Sequence, residues 1–159
     1  MQERNLTIYF TSDLHSYIYP TDYRSQEEKD LGLFKCASQF QKDGNTLVID
    51  GGDLLQGSPL GAFCHDTVGS AAQFAQIMNR CGYDYVTLGN HDFNYGMPYL
   101  DSYLDALRAR CVCENVRWAG GGVRFPARVH VLENGLRIGI VGIVTDYVNI
   151  WERPEHLSG

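Results

Sequence analysis

The stretch Asn45–Ser58, NTLVIDGGDLLQGS, decides the fold. Leu47, Val48 and Ile49 form an apolar run of buried-strand length, and it empties into a loop where Gly51 and Gly52 remove side chains just before a carboxylate, Asp53. A buried strand needs neighbours, and the flanking sequence supplies them. Upstream, Leu6–Phe10 (LTIYF) is β-branched and aromatic, reads as a first strand, and ends in Thr11-Ser12-Asp13-Leu14-His15. A polar segment from Ser16 to Lys29 follows. Leu33, Phe34, Ala37 and Phe40 then recur at helical spacing with Gly44 as a stop, which predicts a helix of roughly three turns.

Downstream the unit repeats. Val68, Ala71, Ala72, Ala75 and Met78 make a second apolar stripe, Tyr85–Leu88 a short third strand, and Gly89-Asn90-His91-Asp92 closes it. Pro98, tolerated in a first helical turn, opens a third helix with Leu100, Tyr103, Leu104 and Leu107 on one face. Cys111–Val116 reads as a fourth strand. From Pro126 the pattern changes: Ala127, Val129 and Val131 alternate with polar residues, Asn134-Gly135 is a hairpin turn, and Leu136–Val144 returns as an apolar strand. A hairpin is therefore expected to join the sheet. The fold class is α/β, a mostly parallel sheet with flanking helices and a C-terminal β-hairpin, with no internal domain boundary. Sheets of this kind place ligand sites just beyond the carboxyl ends of their strands.

The composition is that of a soluble globular domain: 159 residues, 44% apolar and 20% charged. A formal charge of −6 and the absence of a basic run argue against a nucleic-acid polymer as partner. Five cysteines, an odd number without CxxC spacing, fit free thiols in a reducing compartment. No segment approaches ~18 uninterrupted apolar residues and the N-terminus lacks signal-peptide character, so the expectation is a cytoplasmic chain with no membrane partner.

Three strand ends carry unusual chemistry. Asp13 and His15 are two apart, and in extended backbone alternate side chains face the same side, so both can point at one ion. Asp53 has two oxygens with spare lone pairs and can bind one metal or bridge two. Asn90 offers an amide oxygen to a cation, and His91, its neighbour in a loop, diverges and can face substrate. Singly, these residues have plainer readings as turn caps or surface polar groups. Their coincidence after three consecutive strands carries the metal reading. The glycine spacing Gly52 to Gly57 is that of a phosphate loop, but Ser58 stands where that motif needs lysine. Cys111 and Cys113 share a strand face and read as small buried side chains. Asn115 is assigned a structural role, His65 a solvated one, and His130 the hairpin face opposite Val129 and Val131.

TSDLHSYIYPTDY (11–23), IDGGDLLQGS (49–58) and LGNHDFNYG (88–96) resemble the first three motifs of the calcineurin-like metallophosphoesterases, in the branch of 5'-nucleotidases and 2',3'-cyclic-nucleotide phosphodiesterases. The resemblance implies a metallophosphoesterase α/β sandwich and hydrolysis of nucleotide phosphomonoesters or 2',3'-cyclic phosphodiesters by metal-activated hydroxide. It implies two divalent ions, with Asp13 and His15 on the first, Asp53 bridging, and Asn90 on the second. His91 would be the catalytic histidine. Where nucleotidases pair that histidine with an aspartate, this chain has Asn94. Nitrogen and oxygen ligands suit Zn, Mn, Fe or Co alike.

The family completes its site from a second half bearing a Gly-His pair and a Gly-His-x-His motif. His65, His130 and His156 lie in no such context, so residues 1–159 are read as the N-terminal part of the domain, with the second metal site incomplete. The partners expected are a nucleotide or other small phosphate ester and the missing C-terminal half. The alternative is a non-catalytic module that retains the fold as a scaffold.

Overall fold

A computed structural model describes residues 3–25 and 27–158; Gln26, inside the polar segment, lies outside them, as do both chain ends. Thr7–Thr11 (β1) runs parallel to Thr46–Asp50 (β2), with Thr7 opposite Thr46 and Thr11 opposite Asp50. The helix between them, Leu33–Ala37 (α1), is only five residues long and not the three turns expected. Its first amides are taken by the preceding segment, Leu33 N by Tyr17 O and Phe34 N by Ile18 O. At the far end Phe40 leaves the helical path and packs its ring on Tyr9, 5.1 Å between centroids, and on Tyr83. Tertiary aromatic contact has overridden local periodicity.

Ser58 caps Pro59–Phe63 (α2), its hydroxyl accepting from Gly61 N at 3.2 Å. A π-helical turn, Cys64–Val68, ends at Gly69, and the crossover helix proper is Ala72–Cys81 (α3). Val68 consequently falls outside the apolar stripe and is exposed, while Phe74, Ala75 and Met78 are buried. Tyr85–Val86 (β3), Met97–Ala106 (α4, with Pro98 in its first turn) and Arg110–Cys111 (β4) complete the repeat.

The four strands are parallel in the order β1-β2-β3-β4. Side chains alternate across this sheet, so its two faces feed different cores. Val48 and Val86 pack with Phe74, Met78, Leu100 and Tyr103 under α3 and α4. Leu47 and Tyr85 point the other way and meet Val112, Leu132 and Ile140. Complete burial of such a side chain contributes about 1.5–3 kcal/mol.

The expected fourth strand is divided at Val112. Cys113–Arg117 (β5) leaves the parallel sheet and pairs antiparallel with Val123–Phe125 (β6). The hairpin, Arg128–Val131 (β7) and Arg137–Ile140 (β8), forms its own antiparallel ladder and does not join the sheet. Leu132 and Ile140 seat it on Leu47 and Tyr85, while Val129 and Val131, which alternate with polar residues, are 58% and 55% exposed. His130 does occupy the opposite face, its Nδ1 lying 3.1 Å from the Tyr85 hydroxyl. Asn115 is structural as expected: it accepts from Val144 N and donates to Val144 O. Val148–Trp151 (α5) and a 3₁₀ turn, Pro154–Leu157, follow. No described helix is long and apolar enough to cross a membrane.

Candidate metal centre

Because the sheet is parallel, the segments after β1, β2 and β3 emerge along one rim, and the loops are stitched together there. Asp13 N donates to Gly52 O at 3.0 Å and His15 N to Asp53 O at 2.8 Å. The Ser16 hydroxyl donates to Leu54 O and the Ser58 hydroxyl to Ser16 O. Asp13, His15 and Asp53 all adopt left-handed backbone, with φ of 55°, 46° and 58°. Such conformations cost roughly 1–3 kcal/mol each and persist only where the surroundings impose them.

The outcome is a cluster in which Asp13, His15 and Asp53 each present a ligand atom within 4.8 Å of the others. His15 Nδ1 lies 2.7 Å from Gln56 O. A carbonyl oxygen only accepts, so Nδ1 carries the hydrogen and Nε2 keeps a lone pair for a cation. Gly57 makes room for that ring, since a Cβ there would stand 2.8 Å from His15 Nδ1. One imidazole and two carboxylates fit a divalent ion of the Zn, Mn, Fe or Co type.

The 3₁₀ turn Asn90–Phe93 brings the next expected residues to the same rim. Asp53 Oδ1 accepts from His91 N at 2.7 Å, and the His91 ring stands edge-on to that of His15, 5.2 Å between centroids. Asn90 opens the turn, half-buried. Asn94 Oδ1 is 2.8 Å from His91 Nδ1, which places the amide where a histidine partner was expected. His65 is solvated as expected, its side chain 37% exposed, and its ring also stacks on Tyr95, centroids 4.0 Å apart.

Two carboxylates that sequence reasoning passed over hold the rim together. Asp92, 3% exposed, accepts four backbone N–H groups: Asp53 and Gly89 on Oδ2 at 2.9 Å, Leu54 and Leu55 on Oδ1 at 2.9 and 3.0 Å. Burial pushes its carboxyl above the ordinary value, and the Gly89, Leu55 and Asp53 amides oppose that rise. Asp50, at the end of β2, bonds the Thr11 hydroxyl and Gly52 N. Burial raises it to about 7, with hydrogen bonds lowering it and the charges of Asp92 and Asp13 adding to the rise. For Asp50 a signal was available in composition: an aspartate set directly between Ile49 and Gly51, as in VIDGG, is out of place in a solvated loop.

Glycines let the loops touch. A Cβ on Gly52 would lie 2.2 Å from Gly89 N, and one on Gly89 would lie 2.1 Å from Asp53 Oδ1. The cysteines take no part: all five are free, and burial raises the Cys111 and Cys113 thiols above their ordinary value.

Residues 6–155 match the family model for calcineurin-like phosphoesterases. The chain is 34% identical to the trifunctional nucleotide phosphoesterase protein YfkN of Bacillus subtilis, over 98% of this chain and 12% of that protein. It is 32% identical to the 2',3'-cyclic-nucleotide 2'-phosphodiesterase/3'-nucleotidase of Yersinia enterocolitica, over 98% of this chain and 26% of the relative. Among solved structures, a Staphylococcus aureus protein described as a 5'-nucleotidase superposes with a TM-score of 0.82 at 32% identity, covering 94% of this chain and 30% of that one. The chain thus spans a minor part of the length of these relatives.

Proposed function

The chain belongs to the calcineurin-like phosphoesterase family, and from that premise we propose that it takes part in hydrolysing nucleotide phosphomonoesters or 2',3'-cyclic phosphodiesters. Asp13, His15 and Asp53 hold one divalent ion, Asp53 and Asn90 contribute to a second, and His91 meets the substrate. The observation that carries this reading is the convergence of the Asp13, His15 and Asp53 ligand atoms within 4.8 Å, from two different strand ends. Divalent ions in such a site supply an activated water and neutralise phosphate charge.

The protein residues do the rest. Asp53 is anchored through its backbone to Asp92 and through Oδ1 to the His91 amide, so its carboxylate is aimed before any ion arrives. With Nδ1 engaged by Asn94, His91 keeps Nε2 for the ester, where the ring, once protonated to the imidazolium, stabilises charge on, or delivers a proton to, the leaving oxygen.

Residues 1–159 act as the N-terminal part of the domain, and the remaining ligands of the second ion come from a further segment. Two features support this. Ile8, Phe10, Val141 and Ile143 are large apolar side chains left 49–72% exposed. The rim residues are also accessible, Asp13 being exposed and His15, Asp53, Asn90 and His91 half-buried. A reducing, cytoplasmic setting suits the five free thiols.

The test is complementation. With Mn²⁺ supplied, hydrolysis of bis(p-nitrophenyl) phosphate and of a 2',3'-cyclic nucleotide is measured for the chain alone and with the C-terminal half-domain of a relative added. Little turnover alone and restored, Asp53-dependent turnover in the mixture are expected. Restored turnover in Asp53→Ala would overturn the mechanism.

A further inference from the structure

Asn94 has a second partner. While its Oδ1 faces His91 Nδ1, its Nδ2 donates to Glu152 Oε2 at 2.6 Å. Glu152 lies just past α5, with a side chain only 8% exposed. Its other oxygen accepts from Arg153 N at 3.1 Å and lies 2.9 Å from His156 Nδ1. Burial works against its charge, but the hydrogen bonds from Asn94, Arg153 N and His156 outweigh it and hold the carboxyl below the ordinary glutamate value. The chain therefore runs His91, Asn94, Glu152, His156, from the rim to the last described turn.

The order of donors in this chain is forced. A primary amide has nearly the same shape with its oxygen and nitrogen exchanged, so on its own Asn94 could present either group to the imidazole. An ionised carboxylate can only accept. Glu152 therefore takes the NH₂ group, and the amide oxygen is turned to His91. That oxygen can only accept as well, so His91 Nδ1 must carry the hydrogen and Nε2 is left with its lone pair.

We propose that Glu152 is a positioning residue for His91: acting through the Asn94 amide, it sets the ring in the Nδ1–H tautomer and reserves Nε2 for the ester. This rests on the reading of His91 as the group that meets substrate. The arrangement differs in kind from a carboxylate placed directly on the ring. It transmits direction through the amide while keeping the negative charge one side chain further away, so it orients the imidazole more than it stabilises an imidazolium. His156 braces the far oxygen of Glu152 and keeps the carboxylate from turning to solvent.

Nitrogen-15 NMR of the metal-free, histidine-labelled 159-residue chain reads the tautomer, with the His91 signals assigned from His91→Asn. Wild type is expected to show one Nδ1–H form of the neutral ring. Glu152→Gln, whose amide can both donate and accept, is expected to release Asn94 and give a mixture with the Nε2–H form. Adding Asn94→Asp to Glu152→Gln is expected to restore the single Nδ1–H form. An unchanged tautomer in Glu152→Gln, folded by circular dichroism, overturns the proposal. If that variant does not fold, Asn94→Ala decides in its place, and an unchanged tautomer there is equally fatal. In the complemented assay with Mn²⁺ and bis(p-nitrophenyl) phosphate, Glu152→Gln is expected to lower kcat by about tenfold at little cost in KM. Wild-type turnover in His91→Asn would sink the catalytic reading of His91 and leave the tautomer result to stand. Lost turnover in His91→Asn with an unmoved tautomer in Glu152→Gln would sink the positioning role alone.

Discussion

The Asp92 carboxylate accepts a hydrogen bond from the backbone amide of Asp53, 2.9 Å long, so a carboxylate that touches no substrate aims one that is proposed to bridge metals. Each Asp92 oxygen receives two N–H groups. In Asp92→Asn one of those oxygens becomes an NH₂ facing two donors. The expected loss is on the order of 3 kcal/mol of stability, seen in urea unfolding, with metal affinity down about 10–100-fold. Wild-type stability in the variant would show that the four donors find other partners.

Gly89→Ala tests the contact between the loops after β2 and β3. The new methyl would stand 2.1 Å from Asp53 Oδ1, a distance no rotamer change of alanine can relieve. The carboxylate must shift, and overpacking of this kind costs about 1–3 kcal/mol. Thermal melts should show the loss, and calorimetry should show weakened Mn²⁺ binding. A variant that binds Mn²⁺ as wild type does would place Asp53 outside the site.

Metal itself should stabilise the fold. At about a hundred times its Kd, an ion that binds only the native state adds about 2.7 kcal/mol. Mn²⁺ should therefore raise the Tm, a chelator should reverse the rise, and Asp13→Asn or Asp53→Asn should remove most of it. An undiminished rise in Asp53→Asn would mean that the ion binds elsewhere.

Asp50 predicts an unusual pH dependence for the metal-free chain. Its folded pKa is raised to about 7 from 3.8, so between those values the native state holds a proton that the unfolded state has lost. Stability from this group is complete below about pH 4, falls as pH rises toward 7, and is flat above. Asp50→Asn keeps the bonds to Thr11 and Gly52 N within reach and should flatten the profile and stabilise the chain at pH 8. Tm values from pH 4.5 to 8 for both proteins, with chelator present, give the answer; parallel profiles would refute it.

Much of the sheet was legible because strand ends are marked by abrupt chemistry, and NTLVIDGGD, LTIYF and the GNHD turn each pass from apolar to polar within a residue or two. The convergence of Asp13, His15 and Asp53 on one rim was legible for the same reason. The short α1 was not, because the contacts of Phe40 with Tyr9 and Tyr83 decide where its helical path ends, and the π-helical turn at Cys64–Val68 has no counterpart in the apolar periodicity. The hairpin misled, since Val129 and Val131 alternate with polar residues although both are exposed. Asp92 and Glu152 were invisible as positioning groups, since a carboxylate that serves distant backbone or an amide 58 residues away leaves no local pattern.

The left-handed backbone at Asp13, His15 and Asp53 gives this fold a direction of decay. Glycine at any of the three positions relieves backbone strain of roughly 1–3 kcal/mol while removing a proposed ligand. In a lineage released from catalysis, the first tolerated substitutions should therefore erase the chemistry and leave the sheet sounder than before. Retention of all three side chains on strained backbone is what a chain still held to its reaction would show.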